Sequence, residues 1–544
     1  MLSSHSTNTD SILLENLIRG LSNPLAYPHP VEIITTIETH ISVVFLTGKF
    51  AYKLKKPVNF GFLDFSSLAK RQHFCELELQ LNRRTAPQLY LAVVPVYFCD
   101  KDGIRLQAPQ NEKAQPIDYL VKMQQFDPNA VLGRQLVQKP LNQVQLEALA
   151  HQIAQLHQQA ETVALPSPLG TPSAVLQPML DNFRALEICF DPQQHPFLAP
   201  LFHWTETQFK TLSPELTRRR QQGKIRACHG DLHLDNIALL EDVPVLFDGI
   251  EFNEAFRWID GISDLAFLLM DLSARQHSAQ AWQLLSLYLH QTQDYSGLVV
   301  LRFYLVYRAM VRAKITNLRA EQLLAGCEQR RELCAQAEDY VQLAHHFSQA
   351  PSHPKLILLQ GVSGSGKSHL AQELQAWMPA VVISSDRTRK HLFGVLPKER
   401  LTADARHQLY SPQMSQTTYK TLLQNARTSL TAGWHTVVDA TFLKHAHRQP
   451  FYELAAELHI PVYLLYLEVN DVQQIEQALQ QRGQANLDPS DADAQIMQNQ
   501  LPMIEPPSQH EPALWLNANQ LRQTIPIDAL KNFLGLPITL SDEN

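Results

Sequence analysis

The chain has 544 residues, of which 45% are hydrophobic and 18% are charged, and its formal net charge is −7. This composition is typical of a globular protein, and the length allows two or three domains that each bury a core. The negative charge argues against a protein that grips a long nucleic-acid backbone. It does not argue against binding a nucleotide end or a small phosphate acceptor.

The sequence has no pattern typical of a secreted or membrane protein. Residues 1–10 lack the basic and apolar regions of a signal peptide, and the longest apolar run, residues 265–270, is too short to cross a bilayer. The six cysteines form no CxxC pair, so we predict neither a disulfide framework nor a zinc site. We therefore predict a cytoplasmic protein without a membrane partner; the sequence does not predict its oligomeric state.

A candidate ATP-binding lysine lies in residues 32–60, which have the pattern of β-hairpins. In the segment Phe50-Ala51-Tyr52-Lys53, the small residue two positions before the lysine shares its strand face, which leaves room for an adenine. We therefore predict that Lys53 binds the ATP phosphates. Lys55 and Lys56 follow closely, so a shift of register is an open alternative, as is a solvated lysine at a strand edge.

A glutamate on the following helix would pair with that lysine. Residues 66–84 have helical periodicity, and Leu77 and Leu81 belong to one apolar face. At 100° per residue Glu78 borders this face and Glu76 lies opposite. We predict Glu78 as the ion-pair partner of Lys53, with a solvent-facing helix charge as the alternative.

A catalytic-loop signature follows at His229-Gly230-Asp231-Leu232-His233-Leu234-Asp235-Asn236, which has the spacing HxDxxxxN. In this pattern the aspartate accepts the proton of the acceptor hydroxyl and the asparagine binds Mg²⁺. The apolar strand over residues 243–247 ends at Asp248-Gly249, where the aspartate carboxylate would be a second ligand of the metal ion. The alternative is a loop with a helix-capping aspartate and an incidental asparagine.

These residues resemble the aminoglycoside phosphotransferase and choline kinase group, whose loop reads HGD. The resemblance covers about residues 30–345 and implies a bilobal protein-kinase-like fold that transfers phosphate, with Asp231 as the base and Asn236 and Asp248 as metal ligands. Asp260 and Asp264 resemble the segment that follows the metal aspartate in that group. We interpret both as structural residues that cap a helix beginning near Ser263.

A complete GxxxxGK[ST] phosphate loop lies between the apolar residues 355–360 and a helical stretch. Its backbone N–H groups and the helix N-terminus would bind phosphates, the lysine would reach the β- and γ-phosphates, and the serine would bind Mg²⁺. The predicted ATP-binding residues are Gly361, Val362, Ser363, Gly364, Ser365, Gly366, Lys367 and Ser368.

The acceptor side of this second site is predicted at Asp386 and Arg389, which follow a strand over residues 380–383. The two residues are three apart and share a helix face, so the aspartate could deprotonate a hydroxyl while the arginine binds a phosphate or carboxylate. This D-x-x-R arrangement resembles the 5′-hydroxyl polynucleotide kinases and the zeta-toxin-like small P-loop kinases. A capping aspartate with surface basic residues is the alternative.

Three further residues complete the predicted site. Asp439 ends an apolar strand typical of a Walker B segment and would bind Mg²⁺. Arg448 could face either the acceptor or solvent. Arg482 has the position of a lid arginine that neutralises the transferring phosphoryl group, although the Gly483 beside it is also explained by a helix end.

The whole chain resembles a bacterial fusion of an aminoglycoside phosphotransferase-like domain with a P-loop kinase-like domain. The predicted fold class is α/β and α+β in two domains, with a parallel sheet in the second. The predicted limits are an extension over 1–29, the kinase-like domain over 30–345, a linker over 346–354 and the P-loop domain over 355–537.

The leading hypothesis is a bifunctional phosphotransferase with two ATP/Mg²⁺ sites that act on a small molecule or a nucleotide end. In the first alternative, one domain is a nucleotide-binding regulatory or pseudokinase module. In the second, the chain is a toxin-like kinase of nucleotide sugars.

Overall fold

The computed structural model describes residues 6–61, 63–99, 103–108, 114–187, 190, 195–324, 326–351, 353–396, 399, 401–485 and 494–537. Within these ranges, no helix combines the length and the apolar character needed to cross a membrane.

The N-terminal part contains a six-stranded antiparallel sheet in the order β1-β2-β3-β6-β4-β5. Its strands and helices are α1 (Ser6–Leu21), β1 (Thr35–Glu38), β2 (Ser42–Leu46), β3 (Phe50–Lys55), α2 (Leu68–Asn82), β4 (Tyr90–Cys99), β5 (Gly103–Arg105) and β6 (Asp118–Gln124). Helix α2 begins where the Ser67 side chain accepts a hydrogen bond from the Lys70 N–H. The sheet and α2 match the predicted hairpins and helix.

A mostly helical region follows, with two short antiparallel strand pairs, β8–β9 and β7–β10. The elements are α3 (Leu132–Gln135), α4 (Gln143–Gln159), α5 (Pro172–Glu187), α6 (Leu198–Gln221), β7 (Ile225–Ala227), β8 (Ile237–Leu240), β9 (Val243–Leu246), α7 (Glu254–Arg257), β10 (Trp258–Asp260), α8 (Gly261–Ala274), α9 (Ser278–Thr292), α10 (Leu298–Glu321) and α11 (Glu328–Ser348).

The C-terminal part is built on a five-stranded parallel sheet in the order β12-β13-β11-β14-β15. Strands β11 and β13 are buried along their whole length, as expected for a sheet covered on both faces. The elements are β11 (Leu356–Gln360), α12 (Lys367–Trp377), β12 (Ala380–Ser384), α13 (Ser385–Phe393), α14 (Ala403–Leu409), α15 (Pro412–Thr431), β13 (His435–Asp439), α16 (His445–Glu457), β14 (Val462–Glu468), α17 (Val472–Ala485), α18 (Ala494–Gln500), β15 (Ala513–Asn517) and α19 (Ile527–Leu534).

The predicted fold class is confirmed. The antiparallel sheet with α2 and the helical region form the kinase-like part, and the parallel sheet with a phosphate loop after β11 forms the P-loop part. Apolar runs over residues 356–359, 380–383, 436–438 and 462–467 predict four strands of the parallel sheet. Strand β15 is not predicted, because its sequence Ala-Leu-Trp-Leu-Asn is short and follows a polar, proline-bearing segment.

By internal contacts the chain separates into two compact units. The first comprises Met1–Pro140, Gln155–Gln177 and Leu216–Phe267. The second comprises Leu141–Ala154, Pro178–Glu215 and Leu268–Asn544. The second unit thus groups the parallel sheet with helices that precede it in the chain, so its boundary differs from the predicted linker over 346–354. The predicted domain limits stay a prediction about independent folding.

Candidate functional site

In the first unit, the predicted lysine and glutamate lie beside the predicted metal aspartate. The Lys53 Nζ lies 2.9 Å from Glu78 Oε1 and 2.5 Å from Asp248 Oδ1. Lys53 is on β3 and Glu78 on α2, so strand and helix each contribute one charge. Asp248 follows β9 with a φ of +60°, a left-handed conformation that aspartate adopts more readily than most residues. The three side chains predicted to serve ATP are therefore held together.

A second buried lysine supports this arrangement. Lys55 binds the other carboxylate oxygen of Glu78 and also Glu251, a residue that the sequence analysis missed. Burial by itself raises the pKa of Glu78, but the charges of Lys53 and Lys55 outweigh it and hold that pKa at about 2. Of the three neighbouring lysines, Lys53 is the one that contacts Asp248, as predicted. The alternatives have other partners: Lys55 contacts Glu78 and Glu251, and Lys56 contacts Glu38.

The catalytic loop places Asp231 and Asn236 in direct contact. The Asn236 Nδ2 donates to the backbone carbonyl of Asp231 at 2.9 Å and to its Oδ2 at 3.0 Å. The His233 Nε2 lies 3.3 Å from the same oxygen. The Asp231 side chain is 37% exposed, so its carboxylate is oriented by the loop and still open to an acceptor. This geometry fits the role of a base.

Gly230 is required by the shape of the loop. Its φ is +88°, and a Cβ atom there would lie 2.8 Å from the Phe256 carbonyl oxygen. A side chain at this position would therefore be strained both by its backbone and by contact.

The prediction that Asp260 and Asp264 both cap a helix beginning near Ser263 is wrong for Asp264. Helix α8 begins at Gly261, and the Asp264 oxygens accept hydrogen bonds from the backbone N–H groups of His229 and Gly230, each at 2.9 Å. Asp264 therefore fixes the start of the catalytic loop. His157 lies 3.1 Å from its Oδ2.

Asp260 has a different partner. Its two oxygens accept hydrogen bonds from the buried Arg219 guanidinium at 2.6 and 2.7 Å, and Oδ1 also accepts from the Ile262 N–H. The hydrogen bond from the Ile262 N–H caps the start of α8, as predicted for Asp260. Both aspartates are structural, but Arg219 and the N–H groups of the catalytic loop are distant in the sequence and could not be read from local capping patterns.

In the second unit, the phosphate loop has the expected shape. Gly364 and Gly366 have φ values of +82° and +98°, and α12 begins at Lys367. The Lys367 ammonium donates to the carbonyl oxygens of Gly361 and Val362 at 2.9 and 2.8 Å. The loop thus curls around its own lysine, where the oxygens of bound phosphates would replace the two carbonyls as acceptors.

The two residues predicted to bind Mg²⁺ in the second unit, Ser368 and Asp439, are in contact. The Ser368 hydroxyl donates to Asp439 Oδ2 at 2.7 Å, and Asp439 ends β13 beside the carboxyl end of β11. A hydroxyl and a carboxylate are hard oxygen ligands of the kind that Mg²⁺ prefers. The donor chemistry therefore fits the predicted ion.

Asp386 and Arg389 also lie together. The Arg389 Nη1 is 3.2 Å from Asp386 Oδ1, and the guanidinium lies over the Tyr410 ring at 5.0 Å. Helix α13 is capped by the Ser384 hydroxyl, which accepts from the Arg387 N–H. Because Ser384 supplies the cap, Asp386 is available for another role.

Arg448 lies in the protein core and faces neither the acceptor nor solvent. It is fully buried, pairs with Glu511 through Nε and Nη2 at 2.6 and 3.0 Å, and donates to the Phe442 carbonyl. The prediction that it faces acceptor or solvent is therefore wrong. The Arg482 side chain lies outside the described residues, so its role stays a prediction.

Two helices from before residue 345 also contact the P-loop part within the second unit. On α4, Glu147 lies 2.5 Å from Nη2 of Arg387, the neighbour of Asp386. On α9, the Ser286 Oγ accepts hydrogen bonds from the Val382 N–H of β12 and from Gln375 of α12, both at 3.0 Å. These contacts join residues far apart in the sequence, and nothing in the local pattern indicated them.

Comparison with known proteins gives one family match and one group of relatives. The model of a family described as an AAA domain matches residues 356–507, which include the phosphate loop. The protein Rv2004c of Mycobacterium tuberculosis is 30% identical over 438 residues, which cover 79% of this chain and 83% of that protein. The alignment with Rv2004c therefore extends well beyond the P-loop part.

Two solved structures of kinases have low similarity to this chain. An ethanolamine kinase of Plasmodium vivax is 12% identical with a TM-score of 0.35, covering 57% of this chain and 81% of its own. A gluconokinase of Sinorhizobium meliloti is 19% identical with a TM-score of 0.22, covering 34% of this chain and 92% of its own. The two folds are identified by the strand orders of this chain.

The chain belongs to the same protein family as Rv2004c. With an AAA-domain match over the phosphate loop and kinase-type residue sets brought together in both parts, it is an ATP-dependent phosphotransferase, as predicted.

Proposed function

We propose that this member of the Rv2004c family transfers the γ-phosphate of ATP to hydroxyl groups at two separate sites, each with its own Mg²⁺-bound ATP. One observation carries the proposal: in both sites, residues predicted to bind ATP and Mg²⁺ lie in contact with each other. Lys53 touches Glu78 and Asp248 in the first, and Ser368 touches Asp439 in the second. A decayed module would be expected to have lost one of these partners. We place the reaction in the cytoplasm, where ATP is supplied.

At the kinase-like site, the residues divide the work of phosphate transfer. Lys53, held by Glu78, would orient the ATP phosphates and offset their charge. Asn236 and Asp248 would hold Mg²⁺, which neutralises the phosphate oxygens when bound; an amide oxygen and a carboxylate suit this ion. Asp231, oriented by the Asn236 amide, would take the proton of the acceptor hydroxyl.

At the P-loop site, Lys367 and the N–H groups of residues 361–368 would bind the phosphates of ATP. Ser368 and Asp439 would hold Mg²⁺. Asp386, with Arg389 beside it at 3.2 Å, would take the acceptor proton while the arginine binds the acceptor. The acceptor in either site is a small molecule or a nucleotide.

The test uses four full-length proteins: the wild type, Asp231→Asn, Lys367→Ala and the double variant. Each is incubated with γ-labelled ATP and a panel of metabolites and oligonucleotides. Two independent sites predict that each single variant loses labelling of a different acceptor and that the double variant loses all labelling.

Loss of all labelling in one single variant would favour the alternative in which the other part only regulates. Labelling that persists in the double variant would overturn the proposal.

A further inference from the structure

We infer that the acceptor of the P-loop site carries a phosphate group of its own before the transfer takes place. The inference rests on the proposed function of this site and concerns a cavity that opens beside Asp386. We call this cavity the acceptor cavity. Its volume is about 1210 Å³, it lies within the second unit, and it is bounded by Ser363 of the phosphate loop, by α15 and by the start of α16.

The charge of the acceptor cavity is opposite to that of the whole chain. Its lining includes four basic side chains, Arg389, Arg406, Lys420 and Lys444, whereas Asp386 is the one carboxylate among the described lining residues. The chain as a whole has a net charge of −7. A concentration of positive charge in a cleft of an acidic protein favours an anionic ligand.

Arg389 gives the cavity a specific donor. The residue is 8% exposed, and its Nε is buried without a hydrogen-bond partner among the described residues. The guanidinium is fixed by Asp386 on one side and by the Tyr410 ring on the other. A buried donor without an acceptor costs free energy, and a phosphate or similar oxyanion would remove that cost with charge-assisted hydrogen bonds.

The positive charge is additional to what ATP requires. Lys367 and the loop backbone already serve the ATP phosphates, and neither Lys367 nor Ser368 lines the acceptor cavity. Lys420 on α15 and Lys444 at the start of α16 line it instead. These cations therefore face the acceptor.

The remaining wall suits an organic acceptor. The Tyr419 and His447 rings stack with centroids 4.5 Å apart, and Leu423 and Phe451 add apolar surface. A ligand with one phosphate and a carbon skeleton would place its anionic group on the cations and its free hydroxyl at Asp386. A phosphorylated sugar and a nucleotide both have this chemistry.

The first measurement is calorimetric binding of inorganic phosphate to the full chain, with excess Mg²⁺ and AMP-PNP present to fill the nucleotide sites. Saturable binding is expected, with affinity lowered about tenfold or more in Arg389→Gln and in Lys444→Ala. Arg427→Gln is the control, because this arginine lies on α15, one of the helices that bound the cavity, but pairs with Glu457 and does not line the cavity. The affinity of Arg427→Gln for phosphate is expected to equal that of the wild type.

The second measurement uses the Asp231→Asn protein, so that the kinase-like site does not contribute. It compares transfer of label to ribose 5-phosphate and ribose, to glucose 6-phosphate and glucose, and to a 5′-hydroxyl nucleoside 3′-phosphate and its nucleoside. Label is expected only on phosphorylated members, and the pair that responds separates sugar phosphates from nucleotides. Absence of saturable phosphate binding, an unchanged affinity in Arg389→Gln, or labelling of the neutral members alone would each overturn the inference.

The proposed function fails separately from the inference. AMP-PNP binding that does not differ between the wild type and Lys367→Ala would contradict the phosphate-loop site itself. Normal AMP-PNP binding without phosphate binding would contradict only the phosphorylated acceptor.

Discussion

At the scale of single residues, the two aspartates of the proposed kinase-like site have different neighbours. Asp231 is contacted by Asn236 and His233, whereas Asp248 is contacted by Lys53. Both carboxylates are more than a third exposed, at 37% and 42%. Each carboxylate is therefore open to a ligand. Its neighbours indicate whether that ligand is the acceptor hydroxyl or the Mg²⁺ of ATP.

Asp231→Asn and Asp248→Asn are expected to fail in different ways. Loss of the base should depress turnover while Mg²⁺-bound ATP still binds, whereas loss of the metal ligand should weaken Mg²⁺-dependent ATP binding as well. Asparagine also tolerates the left-handed backbone of Asp248, so unfolding is not expected.

The comparison is measured by ATP titration and initial rates in a Lys367→Ala background, with melting curves as the control. An equal loss of ATP affinity in both variants would contradict this division of roles.

His290 provides a residue-scale test of stability against pH. Burial lowers its pKa to about 3, and the nearby Arg387 charge acts in the same direction. The folded protein therefore keeps this histidine neutral while the unfolded chain protonates it below about pH 6.5. The stability contribution is complete above that pH and is lost progressively as the pH falls towards 3.

We expect the free energy of unfolding to fall with a slope of up to about 1.4 kcal/mol per pH unit from this one group. Urea denaturation of wild type and His290→Gln between about pH 4.5 and 7 measures the difference in slope. Parallel curves for the two proteins would show that His290 does not carry the effect.

At the scale of elements, α9 and β12 are joined by a side chain rather than by backbone pairing. The Ser286 hydroxyl accepts from the Val382 N–H and from Gln375, and donates to the Trp282 carbonyl one turn earlier. One buried serine therefore serves a strand, a neighbouring helix and its own helix.

Ser286→Ala is expected to destabilise the protein by about 1–3 kcal/mol, because it leaves the Val382 N–H without its acceptor and removes one of the three acceptors of the Gln375 amide. Thr292→Ala is the matched control, since the Thr292 hydroxyl lies on the same helix and its partners are local in the chain: it donates to the Tyr288 carbonyl and accepts from the Asp294 N–H. Urea midpoints of the two variants measure the contrast, and equal losses would contradict the bridging role.

Local sequence patterns predicted elements well and their supporting partners poorly. The phosphate loop, the HGD loop and the strand lysine are short motifs whose spacing carries their geometry, so they could be read directly. Glu251 binds Lys55 across a sequence separation of 196 residues, and Glu147 binds Arg387 across 240. Such pairs depend on tertiary packing, which a single sequence does not display.

At the scale of the whole molecule, the predicted linker over 346–354 does not mark the boundary of the second unit. Residues on both sides of the linker belong to that unit and contact each other. Trp434 of the P-loop part is 2% exposed; its ring lies 5.4 Å from that of Trp282 and 4.3 Å from the Arg302 guanidinium. Its Nε1 donates to the Leu298 carbonyl. An indole buried in this way is an anchor between helices of the predicted first domain and the parallel sheet.

We therefore expect that cutting the chain at an engineered protease site within 349–355 leaves two pieces that stay associated in size-exclusion chromatography. Residues 355–537 alone should melt at a lower temperature, and Trp434 fluorescence should shift to the red in a background in which the other two tryptophans of this segment, Trp377 and Trp515, are replaced by phenylalanine. Trp515 is replaced because it is 49% exposed and would mask the change. Separation into two pieces with unchanged melting temperatures would support the predicted independent domains.

The contact between α9 and β12 has a consequence for self-association. Strand β12 is the last strand on its side of the parallel sheet, so its outer main chain would otherwise offer donors and acceptors to a strand of another molecule. Ser286 occupies the Val382 N–H on that side, and α9 covers it. The helix thus protects the sheet against intermolecular strand addition, and a P-loop part produced without it would carry an exposed template for aggregation.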